Sequence, residues 1–184
     1  MGAPLYALVA YVHNSVGPFI EHLRRDLHPE HPWLPAHVTI LPPRPLRDTA
    51  EQAQQLIRDV CRTVEPFEVG LGDVETFAPT TPTIFIRVAH AAYRIRELHD
   101  KLNAGPLEFD EPWPFMPHLT IAKLPECIAT EDAATFSRQR WAKYEGSRRI
   151  RIEELTFVRE GSHEYSWIDL LPVPLGNRLA PTAH

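Results

Sequence analysis

The sequence predicts an α+β fold built from two copies of one supersecondary unit. Two observations carry that expectation. The string His37-Val38-Thr39-Ile40 recurs as His118-Leu119-Thr120-Ile121, 81 positions later (118 − 37 = 81). The helices expected after the two strings, starting near Thr49 and Thr130, are offset by the same 81 (130 − 49 = 81), and strand-like and helix-like patterns follow one another in the same order in both halves.

Leu5 to Val12 is a short apolar run of the kind a buried strand has. Ser15 is placed to cap a helix in which Phe19, Ile20, Leu23 and Leu27 form one stripe. The first His-Thr strand follows and is expected to end through Pro42. Asp48 and Glu51 resemble a capping box ahead of the helical face Ala53, Leu56, Ile57, Val60. Phe67, Val69 and Leu71 then alternate as in a half-buried strand. In the second half Thr83 to Val88 reads as a strand, and Ile95, Leu98 and Leu102 stripe a helix ending at Asn103, Gly105 and Pro106. The second His-Thr strand is followed by Pro125 and a helix carrying Ala134 and Trp141. Strands near Ile150 to Val158 and Trp167 to Leu171 finish the pattern. We therefore expect one domain over 1–176, with halves of about 5–76 and 83–175, and a flexible tail over 177–184.

The chemistry is concentrated in the doubled string. Its aliphatic residues favour a β-strand, where residues i and i+2 share a face. Each copy thus points an imidazole and a hydroxyl the same way, and halves related by a pseudo-twofold axis would bring the two pairs together in the groove between them. His37 and His118 would supply a general acid and a general base, because imidazole titrates near neutrality. Thr39 and Thr120 would donate hydrogen bonds to an anion. Taken singly, each histidine would read as an ordinary core side chain; doubling and phasing with threonine shift the reading to catalysis.

Composition bounds the alternatives. The formal net charge of −5 gives no reason to expect a broad basic face for extended duplex nucleic acid. No apolar run approaches the roughly 20 residues of a membrane span. Met1-Gly2-Ala3-Pro4 lacks the basic start of a secretory signal, and two cysteines, Cys61 and Cys127, are too few for a disulfide framework; a cytoplasmic protein is expected. The nineteen prolines gather at strand exits and loops, where they punctuate the chain. No glycine-rich phosphate loop suggests ATP-driven chemistry. His28 and His31, among prolines and without paired cysteines, match no standard zinc signature, so neither metal nor cofactor is expected.

Paired His-x-Thr-x motifs in a duplicated α+β chain of this length resemble the 2H phosphoesterase superfamily, and within it the 2′-5′ RNA ligase and 2′,3′-cyclic phosphodiesterase branch. The likeness extends loosely to Glu154-Leu155-Thr156-Phe157-Val158, Gly161, Tyr165 and the ending Leu170-Leu171-Pro172-Val173-Pro174-Leu175. It implies a bilobal fold, two antiparallel-rich sheets around a central groove with helices outside, and metal-free phosphoester chemistry. The motif histidines then act as acid and base, and the motif hydroxyls hold phosphate. The expected substrate is a small nucleotide or RNA end bearing a cyclic phosphate, acted on by a monomer. Hydrolysis to a 2′-phosphate is the first expectation; reversible 2′-5′ ligation, a different cyclic phosphate, or nucleotide binding without catalysis are the alternatives.

Arg44 and Lys123, each a few residues past a motif, are candidate phosphate contacts, although strand parity puts Lys123 on the face opposite His118 unless the strand bends. Arg87 and Arg159 are weaker candidates. Tyr165 is the favoured substrate contact among the aromatics, with Tyr11, Phe115 and Trp167 as other stacking candidates.

Overall fold

The computed structural model describes residues 3–29, 35–125, 129–162 and 166–176. Tyr165, Cys127, His31 and the 177–184 tail lie outside them. Eight strands and four helices follow in the order β1 (Tyr6–Tyr11), α1 (Val16–Leu27), β2 (His37–Arg44), α2 (Ala50–Arg62), β3 (Phe67–Thr76), β4 (Thr83–His90), α3 (Ala92–Leu102), β5 (His118–Lys123), α4 (Thr130–Ala142), β6 (Arg149–Ile152), β7 (Glu154–Glu160) and β8 (Trp167–Pro174). A single 3₁₀ turn, Gly105–Leu107, follows α3.

The strands hydrogen-bond in the order β6-β3-β4-β5-β2-β1-β7-β8, every described pair antiparallel. The two expected sheets are therefore two four-stranded halves joined edge to edge. The seam is thin: the register between β2 and β5 is the pair Val38↔Leu119. Chain order and space do not coincide, because β3 pairs with β4 and β6 beside the second motif. β7 correspondingly pairs with β1 beside the first.

Alternation explains the layering. Leu8, Val38, Ile40, Ile84, Ile86, Leu119 and Ile121 join one buried cluster with Ile20 and Leu23 of α1, Ile57 of α2, Ile95 and Leu98 of α3, and Trp141 of α4. The intervening strand residues face the other way and line the groove. There Ala7, Val9 and Val158 form a small separate cluster with Tyr11 and Trp167.

Local signals were right in kind and shifted in detail. At α2 the capping box is Thr49 with Gln52, one residue beyond Asp48 and Glu51; Asp48 instead accepts from the Thr49 amide at 3.0 Å. Ser15 precedes α1 without capping it: Asn14 Oδ1 accepts from the Val16 amide at 3.2 Å, and the Ser15 hydroxyl bonds Tyr144 at 2.7 Å. β2 does not end at Pro42. It runs to Arg44 through two register irregularities against β1, which accommodate prolines that cannot donate to the ladder. No helix of the described residues is long and apolar enough to cross a membrane.

Candidate active site

The antiparallel pair Val38↔Leu119 places the central residue of one motif opposite the central residue of the other. In that register His37 lies toward Thr120, and Thr39 toward His118. Val38 and Leu119 point into the helical layer and are fully buried. Their neighbours therefore present two imidazoles and two hydroxyls to the groove, all half-buried. Neither threonine hydroxyl is engaged by another described residue, so both are available to an anion.

Both histidines are held alike. The Nδ1–H of His37 donates to the Pro35 carbonyl at 2.8 Å, and that of His118 to the Met116 carbonyl at 2.7 Å. A neutral ring bound in this way carries its free lone pair on Nε2. Burial, above all, lowers the pKa of each imidazole below its ordinary value, and the backbone hydrogen bonds partly oppose it. Positive charge on Arg24, His118 and Lys123 lowers His37 further, whereas on His118 the charge that acts is Lys123.

The walls differ between the halves. Tyr11 stands opposite His37 in register and meets it edge-on, with ring centroids 6.3 Å apart. Its hydroxyl donates to Asp169 at 2.6 Å, and burial together with that carboxylate raises the phenol pKa. The corresponding place opposite His118 belongs to Arg87, which pairs with Glu75 at 3.6 Å. Phe77 and Phe85 close edge-on against His118 at 5.2 and 5.1 Å.

Lys123 joins this face because β5 bulges. Ile84 pairs with Ala122 and the next residue, Phe85, with Thr120, so Ile121 is extra and the parity reverses. Lys123 then pairs with Thr83, which has the same parity on β4 as Phe85 and Arg87. It forms no ion pair with a described residue. Arg44 goes elsewhere, and its expected role as a phosphate contact is corrected. Two register shifts cancel on β2, leaving Arg44 on the helix side of the sheet, 1% exposed. Its nitrogens donate to the Pro42 carbonyl, Asn103 Oδ1 and the Leu107 carbonyl at 2.9, 2.7 and 3.1 Å, and to the Glu111 carboxylate. Phe115 stacks on His99, 4.0 Å between centroids, and packs against the main buried cluster. Arg159 pairs with Tyr6, whose ring stacks on Phe157 in the core. Trp167 does lie on the groove face.

Sequence reasoning missed Arg24, Phe77, Phe85 and Asp169. For Arg24 the signal was present: it interrupts the apolar stripe of α1 between Leu23 and Leu27. The other three come to the site through strand pairings distant in sequence.

A family model described as the 2′-5′ RNA ligase superfamily matches residues 12–164. A protein of Oceanobacillus iheyensis bearing a provisional phosphoesterase name is 27% identical over 119 residues, 64% of this chain and 69% of its own length. One from Halalkalibacterium halodurans, named in the same way, is 27% identical over 120 residues with the same coverages. Among solved structures, LigT of E. coli complexed with 3′-AMP superposes with a TM-score of 0.62 at 12% identity, covering 96% of this chain and 100% of that one. A protein of Thermus thermophilus gives 0.65 at 16%, covering 95% and 100%. Likeness at these identities is one of fold; the matched model spans most of the chain and both motifs. The chain belongs to the 2′-5′ RNA ligase superfamily of 2H phosphoesterases.

Proposed function

We propose that the protein is a metal-independent phosphoesterase that opens 2′,3′-cyclic phosphates of RNA ends or nucleotides to 2′-phosphates. The observation that supports this reading is the register of the seam, which sets two Nδ1-anchored histidines and two free threonine hydroxyls side by side on the groove face. In hydrolysis, one imidazole takes a proton from water as its oxygen bonds to phosphorus. The bond from phosphorus to the ribose 3′ oxygen breaks, and the second histidine, protonated, delivers its proton to that oxygen. Thr39 and Thr120 donate to the non-bridging oxygens, and Lys123 balances their negative charge. Proximity makes the two imidazoles titrate as a pair, so one proton between them is the working state. The His37–His118 repulsion and Lys123 act on both rings, whereas Arg24 opposes the charged form of His37 alone. On that ground we assign His118 as the acid and His37 as the base.

LigT structures with 3′-AMP and with phosphate support a nucleotide-sized, phosphate-bearing ligand for this fold. Replacing water by the 5′-hydroxyl of an RNA half runs the same chemistry as 2′-5′ ligation, and the description of the matched family favours that as the second reading.

The test is turnover of the four nucleoside 2′,3′-cyclic monophosphates in EDTA, with product regiochemistry read by ³¹P NMR. Conversion to 2′-phosphates that is lost in the His37→Ala/His118→Ala variant is the expected result. Formation of 3′-phosphates, or activity that EDTA abolishes, would refute the proposal. A joined product from a 5′-hydroxyl RNA half would select ligation.

A further inference from the structure

The side chain of Arg24 is 7% exposed, on the face of α1 that packs against the sheet. Its Nε donates to the Ile121 carbonyl at 2.7 Å and its Nη2 to the Thr120 carbonyl at 3.1 Å. In a regular strand, consecutive carbonyls point to opposite edges, so one guanidinium does not reach both. Here it does, because these are the two residues at which β5 bulges. The seam, moreover, has opened at this point: its register pair is Val38↔Leu119, one residue before Thr120. The planar fork of Arg24 supplies donors beside the stretch of β5 that lies past its pair with β2.

The bulge has a functional consequence, since it turns Lys123 from the helix face to the groove face. The first motif has no equivalent. β2 also carries an extra residue, Ile40, between Leu8↔Leu41 and Val9↔Thr39, yet the residue 81 positions before Lys123 is Pro42. The one lysine of the paired strands thus depends on the one bulge that Arg24 holds. Glu21, a turn earlier on α1, accepts from the Ala36 amide at 2.9 Å, just before His37. Neighbouring turns of one helix thereby tie the entrance of the first motif to the exit of the second.

We propose that Arg24 is a positioning residue, which holds the β5 bulge and so aims the Thr120 hydroxyl and the Lys123 ammonium at a phosphate in the groove. This rests on the phosphate-binding reading of the site, though not on the identity of the ester. The charge of Arg24 also works against protonation of His37, which couples the same residue to the base.

A double-mutant cycle tests the proposal, using affinity for inorganic phosphate as the readout. Lys123→Met is expected to weaken phosphate binding about tenfold, as loss of one charged contact does. Arg24→Met should weaken it at least as much while Lys123 is still present. The double variant should bind no more weakly than Arg24→Met alone, because a misdirected lysine has little left to lose. Arg24→Lys preserves the charge without the fork and should leave the defect in place; it also carries the cycle if Arg24→Met does not fold. Penalties that multiply, to about a hundredfold in the double variant, would overturn the proposal, as would full phosphate affinity in Arg24→Lys. A purely structural Arg24 would lower the melting temperature and leave the effect of Lys123→Met unchanged. Phosphate binding without turnover of any cyclic phosphate would contradict the proposed reaction and leave this inference intact.

Discussion

Val38 and Leu119 stand directly opposite each other across the seam between β2 and β5. Neither faces the groove; both are sealed in the helical layer. Each is the residue between the histidine and the threonine of its motif, so one apolar contact fixes where four polar side chains emerge. A one-residue slip of either strand would turn its own histidine and threonine into the core and leave the other pair alone in the groove. The seam is thus where fold and chemistry meet, and the expected behaviour of the histidines follows from it.

The histidines make folding stability pH-dependent in a defined window. Both have folded-state pKa values below the ordinary imidazole value, with burial the main cause. As pH falls through about 6.5 the unfolded chain takes up protons that the folded chain refuses, so stability declines. The loss continues until the pH reaches the lowered folded values. Urea unfolding between pH 7.5 and 5.5 should show this slope in the wild type. The slope should be shallower in His37→Asn/His118→Asn, which has nothing to titrate at either position.

The acid and base roles are separable by the leaving group. A cyclic phosphate with sulfur in place of the bridging 3′ oxygen releases a thiolate, which needs no proton. His118→Ala should recover most of its lost turnover on that substrate, and His37→Ala should not. Single-turnover rates on the oxygen and sulfur substrates measure this; recovery in His37→Ala instead would reverse the assignment.

Arg44 should behave as a structural cation. It is enclosed with Glu111, and Glu111 also meets His99 Nε2 at 2.8 Å. Glu111→Ala leaves a buried guanidinium without its carboxylate and should cost about 3–5 kcal/mol of stability. Denaturant unfolding checks the cost. The KM for a cyclic phosphate should move little in the folded fraction, in contrast to Lys123→Met.

The strands and helices were legible because their apolar periods are clean and their loops are marked by proline and glycine. The paired motif was legible because it occurs twice. What the sequence concealed was bulges and pairings. Arg44 and Lys123 look equivalent, each a few residues past a motif. Two register shifts on β2 cancel and leave Arg44 behind the sheet, while a single shift on β5 brings Lys123 to the front. Nothing in a single chain announces an extra residue in a ladder. The exchange of β3 and β7 between the halves was hidden for a related reason, since partner choice depends on contacts far apart in sequence. Arg24 was different: a charge on an apolar stripe is visible in the sequence, and its buried role was missed although the signal was there.

The most direct test of the account is turnover of a 2′,3′-cyclic nucleotide by His37→Ala and by His118→Ala, each shown by circular dichroism to be folded. Each substitution should lower kcat by about 10²–10⁴-fold, the usual contribution of a positioned acid or base. The double variant should be little worse than the more damaged single, because the two act as one unit. Wild-type turnover in either single variant would contradict the paired-histidine mechanism outright.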